Sequence, residues 1–213
     1  MIPLDRLIVV AAPSCCGKST FIDNVKMNRL QSITTALRID DATSWSFDDS
    51  FFIDTKFLQE LEQSPVRKMV LHWTIPHPTV KLTMRRLLTL NAYDKKKRLK
   101  VLQSARDVTI LTLYTSQHNL VRRVQFRSER VRQRRSDGTE SLYKFVRKKW
   151  DSWRLVKFYS NMKNLVPMYE RWFRFCQTLN VRASYLVNLE EEPTLDSITK
   201  WPTIRDGWLT DER

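Results

Sequence analysis

Apolar residues run almost unbroken through residues 5–12, centred on Ile8, Val9 and Val10, and again through Arg67–Ile75, Asp107–Tyr114 and Val181–Leu189. Runs that do not alternate with polar residues predict strands buried on both faces, as in a parallel sheet. Ala36–Asp41 predicts a shorter strand closing on two carboxylates, Asp40 and Asp41. Elsewhere the apolar spacing changes to three and four residues, which predicts helices. Phe21, Ile22, Val25 and Met27 give one over 18–30, and Phe57, Leu58 and Leu61 another over 54–63. Leu82, Leu87, Leu88, Leu90, Leu99 and Leu102 give a third over 79–104, in two pieces around Asn91. A helix capped by Thr115 or Ser116 should run to Arg135, a second follows the turn at 136–140, and a third covers 167–179. Residues 42–53 read as a loop anchored by Trp45, Phe47, Phe51 and Phe52. Strands alternating with helices predict an α/β fold with a mostly parallel sheet covered on both faces. The expected organisation is one domain over 1–213, with 117–180 a helical insertion and 190–213 a peripheral arm.

The first strand leads into Ala12-Pro13-Ser14-Cys15-Cys16-Gly17-Lys18-Ser19-Thr20. A strand, a short loop and a helix start reading Gly-Lys-Ser-Thr suit phosphate binding. Inward-turned N–H groups of such a loop cradle phosphate oxygens, and the helix N-terminus adds the positive end of its dipole. Lys18 can reach the β- and γ-phosphates, and the Ser19 hydroxyl is placed to ligate Mg²⁺. The chain has only 3 glycines, and one is Gly17, which argues against a chance match.

This loop resembles that of guanylate kinases and related P-loop kinases, which commonly read Gly-Pro-Ser-Gly-x-Gly-Lys-Ser-Thr. Ala12 stands where the pattern opens with glycine, a mild change unless the backbone φ there is positive. The close match covers about ten residues, and beyond them only the layout is shared. The resemblance implies a P-loop three-layer α/β/α fold, with Pro13, Ser14, Cys15, Cys16, Gly17, Lys18, Ser19 and Thr20 binding ATP or GTP and Ser19 binding Mg²⁺. It also implies a kinase acting on a small molecule or nucleotide, without naming the acceptor. In such kinases a carboxylate at a neighbouring strand end faces the acceptor, which makes Asp40 and Asp41 candidates; capping of the next turn is the equal alternative. An arginine-bearing helix after a strand builds a lid over the triphosphate, which points to Arg123 and Arg127. The aspartate expected to end the second apolar run is absent, and His72 or Thr74 sits near its place.

Charge widens the choice. Lys and Arg number 37 against 23 Asp and Glu, a formal +14, which favours polyanionic partners. From Leu120 to Arg135, seven arginines face one acid, Glu129. They suit a lid, a basic solvent face or a polyanion patch. The next helix interleaves Lys144, Arg147, Lys148, Lys149, Arg154 and Lys157 with Tyr143, Phe145, Trp150, Trp153, Phe158 and Tyr159. At helical spacing these aromatics are expected in a core rather than on a stacking platform. A second function class therefore stands beside the kinase: nucleotide-dependent binding of RNA, DNA or acidic polysaccharide without phosphotransfer.

The three cysteines, Cys15, Cys16 and Cys176, imply no disulfide framework, and a cytoplasmic setting is expected. Lys18 and the helix N-terminus should lower the pKa of the loop thiols. His72 and His77 lack companions at zinc-like spacing. No apolar run is long enough to span a membrane, and the short first run has no basic leader of a signal peptide.

Overall fold

β1 (Leu4–Ala12) is the central strand of the sheet, with β3 (Lys68–Thr74) on one side and β4 (Ala105–Tyr114) on the other, both parallel to it. The computed structural model describes residues 4–39, 41–48, 65–75, 99–139, 141–190 and 195–197, with 59, 62 and 63. β2 (Trp45–Asp48) lies outside β3, and β5 (Ala183–Asn188) outside β4. β6 (Leu195–Ser197) joins the β5 edge antiparallel, so the order is β2-β3-β1-β4-β5-β6. The expected mixed α/β fold with a mostly parallel sheet is present. Leu7 to Ala12 are all buried, as a central strand covered on both sides requires.

Five helices are described from end to end: α1 (Lys18–Lys26), α2 (Gln31–Ala36), α3 (Gln117–Ser136), α4 (Leu142–Tyr159) and α5 (Met162–Gln177). Phe21, Ile22 and Val25 form the buried face of α1. Its end comes four residues earlier than expected. Asn28 takes a left-handed φ of 53°, and the N–H groups of Asn28 and Arg29 donate to the carbonyls of Val25 and Asn24. That paired bonding is a Schellman stop. The same motif corrects the strand expected at Ala36–Asp41. Arg38, at φ 50°, and Ile39 bond back to Thr35 and Thr34, closing α2 instead. The edge strand forms later, as β2, inside the stretch read as a loop, with Trp45 buried.

Ser116 caps α3, its hydroxyl accepting from the N–H of Asn119. Leu120, Val124 and Val131 form its buried stripe. Within the region 117–180, α5 packs directly on the sheet. Tyr169 donates its hydroxyl to the Leu113 carbonyl at 3.3 Å, and Trp172 its indole N–H to Thr112 Oγ1 at 2.9 Å. α5 starts before Pro167, which falls inside its N-terminal half. On α4, Phe158 and Tyr159 are buried as expected, but Tyr143, Trp150 and Trp153 are 74%, 57% and 55% exposed. The last apolar run forms β5, and β6, from within the segment expected as a peripheral arm, pairs outside it. Asp40 and most residues of the helices expected over 54–63 and 79–104 lie outside the described residues, although 99–104 are helical.

Candidate functional site

The strand order creates a crevice at the carboxyl end of β1. From β1 the chain passes to β2, beyond β3; from β3 it crosses to β4, on the far side of β1. Connections leaving adjacent strands in opposite directions open the space where α/β sheets bind ligands. The loop 13–17 occupies this place, flanked by His72 and Thr74 at the end of β3.

The loop backbone is unusual in two places. Gly17, the residue before α1, has φ 108°, and a Cβ there would meet Arg123 Nη1 at 3.2 Å. Only glycine suits both the conformation and the approach. Cys15 has φ 66°, a left-handed conformation that costs a non-glycine residue about 1 kcal/mol or more. Ala12 lies within β1 and is not among the positive-φ residues, so it is a mild departure from glycine. A sheltered hydrogen bond from the Tyr159 hydroxyl to the Ser14 carbonyl, at 3.0 Å, ties the loop to the end of α4.

Lys18 is buried, its ammonium donating to the carbonyls of Ala12 at 2.9 Å and Pro13 at 2.8 Å. From the opposite wall, Arg123 donates to the Cys16 carbonyl, and Arg127 approaches Cys15 Sγ at 3.3 Å. Arg130, one turn further along α3, stacks its guanidinium 4.6 Å from the centre of the Phe126 ring. These groups enclose a cavity of about 880 Å³. Ser14, Cys15, Gly17, Ser19 and Thr20 line it, together with Phe21, Asn24, Leu30 and Leu189. No Asp or Glu is among the described residues that line it.

The structure brings together Ser14, Cys15, Gly17, Lys18, Ser19, Thr20, Arg123 and Arg127. Pro13 and Cys16 belong to the loop through their backbone, but their side chains are buried away from the cavity. Cys16 points its thiol at the Leu113 carbonyl, 3.8 Å away. Burial raises its pKa to about 11, outweighing Lys18 and Arg123, so the expected lowering fails for Cys16. Asp41 does not line the cavity. It caps the turn Ala42–Ser44, accepting from the Thr43 N–H at 2.8 Å and hydroxyl at 2.7 Å, and these bonds lower its pKa.

Sequence reading missed several contributors. Tyr159, placed in a core by spacing, also reaches the loop. Glu190, the first residue of the expected peripheral arm, accepts from the Thr115 hydroxyl, the Ser116 N–H and the Asn119 amide, which fixes the start of α3. Desolvation pushes its carboxyl up, but those hydrogen bonds outweigh it and hold the pKa below the usual value. Phe126 at the cavity rim had no distinguishing signal among the arginines. Among the described residues, no cluster of His, Cys, Asp and Glu has the composition of a metal site, and no helix is long and apolar enough to cross a membrane. Neither a protein-family model nor a curated protein matches this chain.

Proposed function

We propose that the protein is a P-loop nucleotide-binding protein that uses ATP or GTP with Mg²⁺ as a phosphoryl donor for a small-molecule or nucleotide acceptor. One observation carries this reading: cations from two distant parts of the chain, Lys18 and the Arg123–Arg127 pair, converge on a glycine-hinged loop beside a cavity with no described carboxylate in its lining. Such a cavity suits a polyphosphate. Its volume also falls in the range of ligand pockets of about 300–1,000 Å³.

The division of labour follows from placement. Loop N–H groups and Lys18 hold the β- and γ-phosphates, and the exposed Ser19 hydroxyl is the protein's ligand to Mg²⁺. Arg123 and Arg127 neutralise charge that develops on the transferred group, as lid residues on α3. Asp41 is committed to its turn, which leaves Asp40, outside the described residues, as the remaining candidate of the pair for the acceptor side. The test is direct. Titration with Mg·ATP and Mg·GTP should give binding at micromolar to millimolar concentration, with transfer to an acceptor abolished in Lys18→Ala. No binding of either nucleotide at millimolar concentration would sink the proposal.

The charge of the α3–α4 region supports a second reading, nucleotide-dependent binding of RNA, DNA or acidic polysaccharide without transfer. It carries thirteen Lys and Arg against four Asp and Glu over 117–159. Polyanion affinity that falls steeply with salt and ignores Lys18→Ala would favour it.

A further inference from the structure

α4 carries apolar side chains that the fold leaves uncovered. Leu142, Tyr143, Val146, Trp150 and Trp153 are each more than half exposed. At about 100° per residue they fall within one sector about 100° wide. The ridge they make is about 16 Å long. α4 joins the core by its other face, where Leu155, Phe158 and Tyr159 are buried. The Trp150 and Trp153 rings lie 5.3 Å apart, and the Lys157 ammonium sits 5.6 Å from the centre of the Trp153 ring. By helical position, exposed Lys149 borders the ridge on one flank and exposed Arg147 on the other. α4 as a whole has six Lys and Arg against a single acid, Asp151.

We propose that this face docks the protein on an anionic phospholipid surface, with α4 lying in the plane of the interface. The ridge would enter the boundary between headgroups and acyl chains, where indole rings are favoured. The flanking Lys and Arg would meet the lipid phosphates and carboxylates on either side. Three features select this occupant. A second copy would bring two strongly cationic faces together. A nucleic-acid strand gains from stacking on rings along a groove, whereas Leu142 and Val146 have no ring and the ridge is convex. No described helix can cross a bilayer, so the contact is with its surface. The inference does not depend on the nucleotide reading.

Sedimentation of the full chain with phosphatidylcholine vesicles, with and without phosphatidylserine, tests it. Binding is expected only when phosphatidylserine is present, and it should weaken as salt rises. Trp150→Ala with Trp153→Ala, and separately Lys149→Glu with Lys157→Glu, should each weaken binding by about tenfold or more. Because all four residues are exposed, the thermal midpoint should stay within about 2 °C of the parent. Absence of binding to phosphatidylserine vesicles would overturn the proposal. So would binding that neither variant moves. A third overturning result is displacement of the vesicles by a single-stranded oligonucleotide whose own binding needs Trp150 and Trp153, which would make the face a nucleic-acid site.

Discussion

The two edges of the sheet use the same residue types in opposite ways. At the amino ends of the strands, Asp107 takes Arg182 at 2.6 Å and Arg6 at 3.7 Å, and Asp5 lies 4.0 Å from Arg106. Positive charge there is met by carboxylates. At the carboxyl ends, Lys18 and Arg123 donate to the carbonyls of Ala12, Pro13 and Cys16, and Arg127 approaches the Cys15 sulfur. A carbonyl orients a cation without cancelling its charge. The first edge is built for folding; the second keeps a positive potential that an anion can use.

The largest expected effect breaks the second edge alone. Arg123→Ala should slow phosphotransfer by roughly 10²–10³-fold, the usual loss when one group aimed at developing charge is removed. Arg123→Lys should recover little, because a lysine lacks the planar fork that spans loop and ligand. Steady-state rates with Mg·ATP check both. Asp107→Asn is the matching change at the amino edge. It should lower stability by about 1–2 kcal/mol, because Arg6 and Arg182 lose a partly buried partner, and leave nucleotide affinity unchanged. Denaturant midpoints and a nucleotide titration separate the two. If Asp107→Asn weakened nucleotide binding as much as Arg123→Ala, the contrast between the edges would fail.

Cys16 gives the next effect, and it is a pH effect. Its thiol ionises near 9 when unfolded and near 11 when folded. The folded value is the higher one, so the stabilisation is complete below pH 9 and is lost as pH rises through 11. The loss attributable to Cys16 is about 3 kcal/mol. Cys176 and the buried tyrosines shift in the same direction, so the measurement is the difference in slope between the parent and Cys16→Ala. Equal slopes would mean that the loop thiol ionises freely, and that the carboxyl edge is wetter than its packing indicates.

Three of the four long apolar runs became β1, β3 and β4, and the fourth became β5, because a strand buried on both faces leaves an unbroken signature. The strand, loop and helix start around Gly17 were legible for a similar reason: their pattern is local, held in nine consecutive residues, Ala12 to Thr20. The Schellman stops were legible only where glycine marks them. Gly138 and Thr139 close α3, their N–H groups donating back to the carbonyls of Arg135 and Arg134, within the turn expected at 136–140. Asn28 and Arg38 do the same for α1 and α2, but an arginine at φ 50° gives no signal, so α2 was not expected and a strand was expected at 36–41 in place of β2. The aromatics of α4 defeated the spacing argument for another reason. Periodicity finds the faces of a helix without saying which face the rest of the chain covers. Contacts such as Tyr159 to Ser14 join residues 145 positions apart, and no local pattern encodes them.

Glu190 provides the smallest test of the contrast, since it is a carboxylate at the edge otherwise described as keeping its positive charge. It sits at the N-terminus of α3, satisfied by Thr115, Ser116 and Asn119. On this account it anchors the helix that carries Arg123 without neutralising the arginine. Its folded pKa is depressed. Its contribution is therefore present above the unfolded value near 4.5 and is lost as pH falls through the lower folded value. Because the residue is exposed, screening keeps that contribution below about 1 kcal/mol. Glu190→Gln should flatten the acid side of the stability profile by that amount while leaving the Mg²⁺ dependence of nucleotide binding as it was. A shifted Mg²⁺ requirement in Glu190→Gln would instead make the residue a partner of the metal. The carboxyl edge would then contain the counter-charge that is missing from the described lining of its cavity.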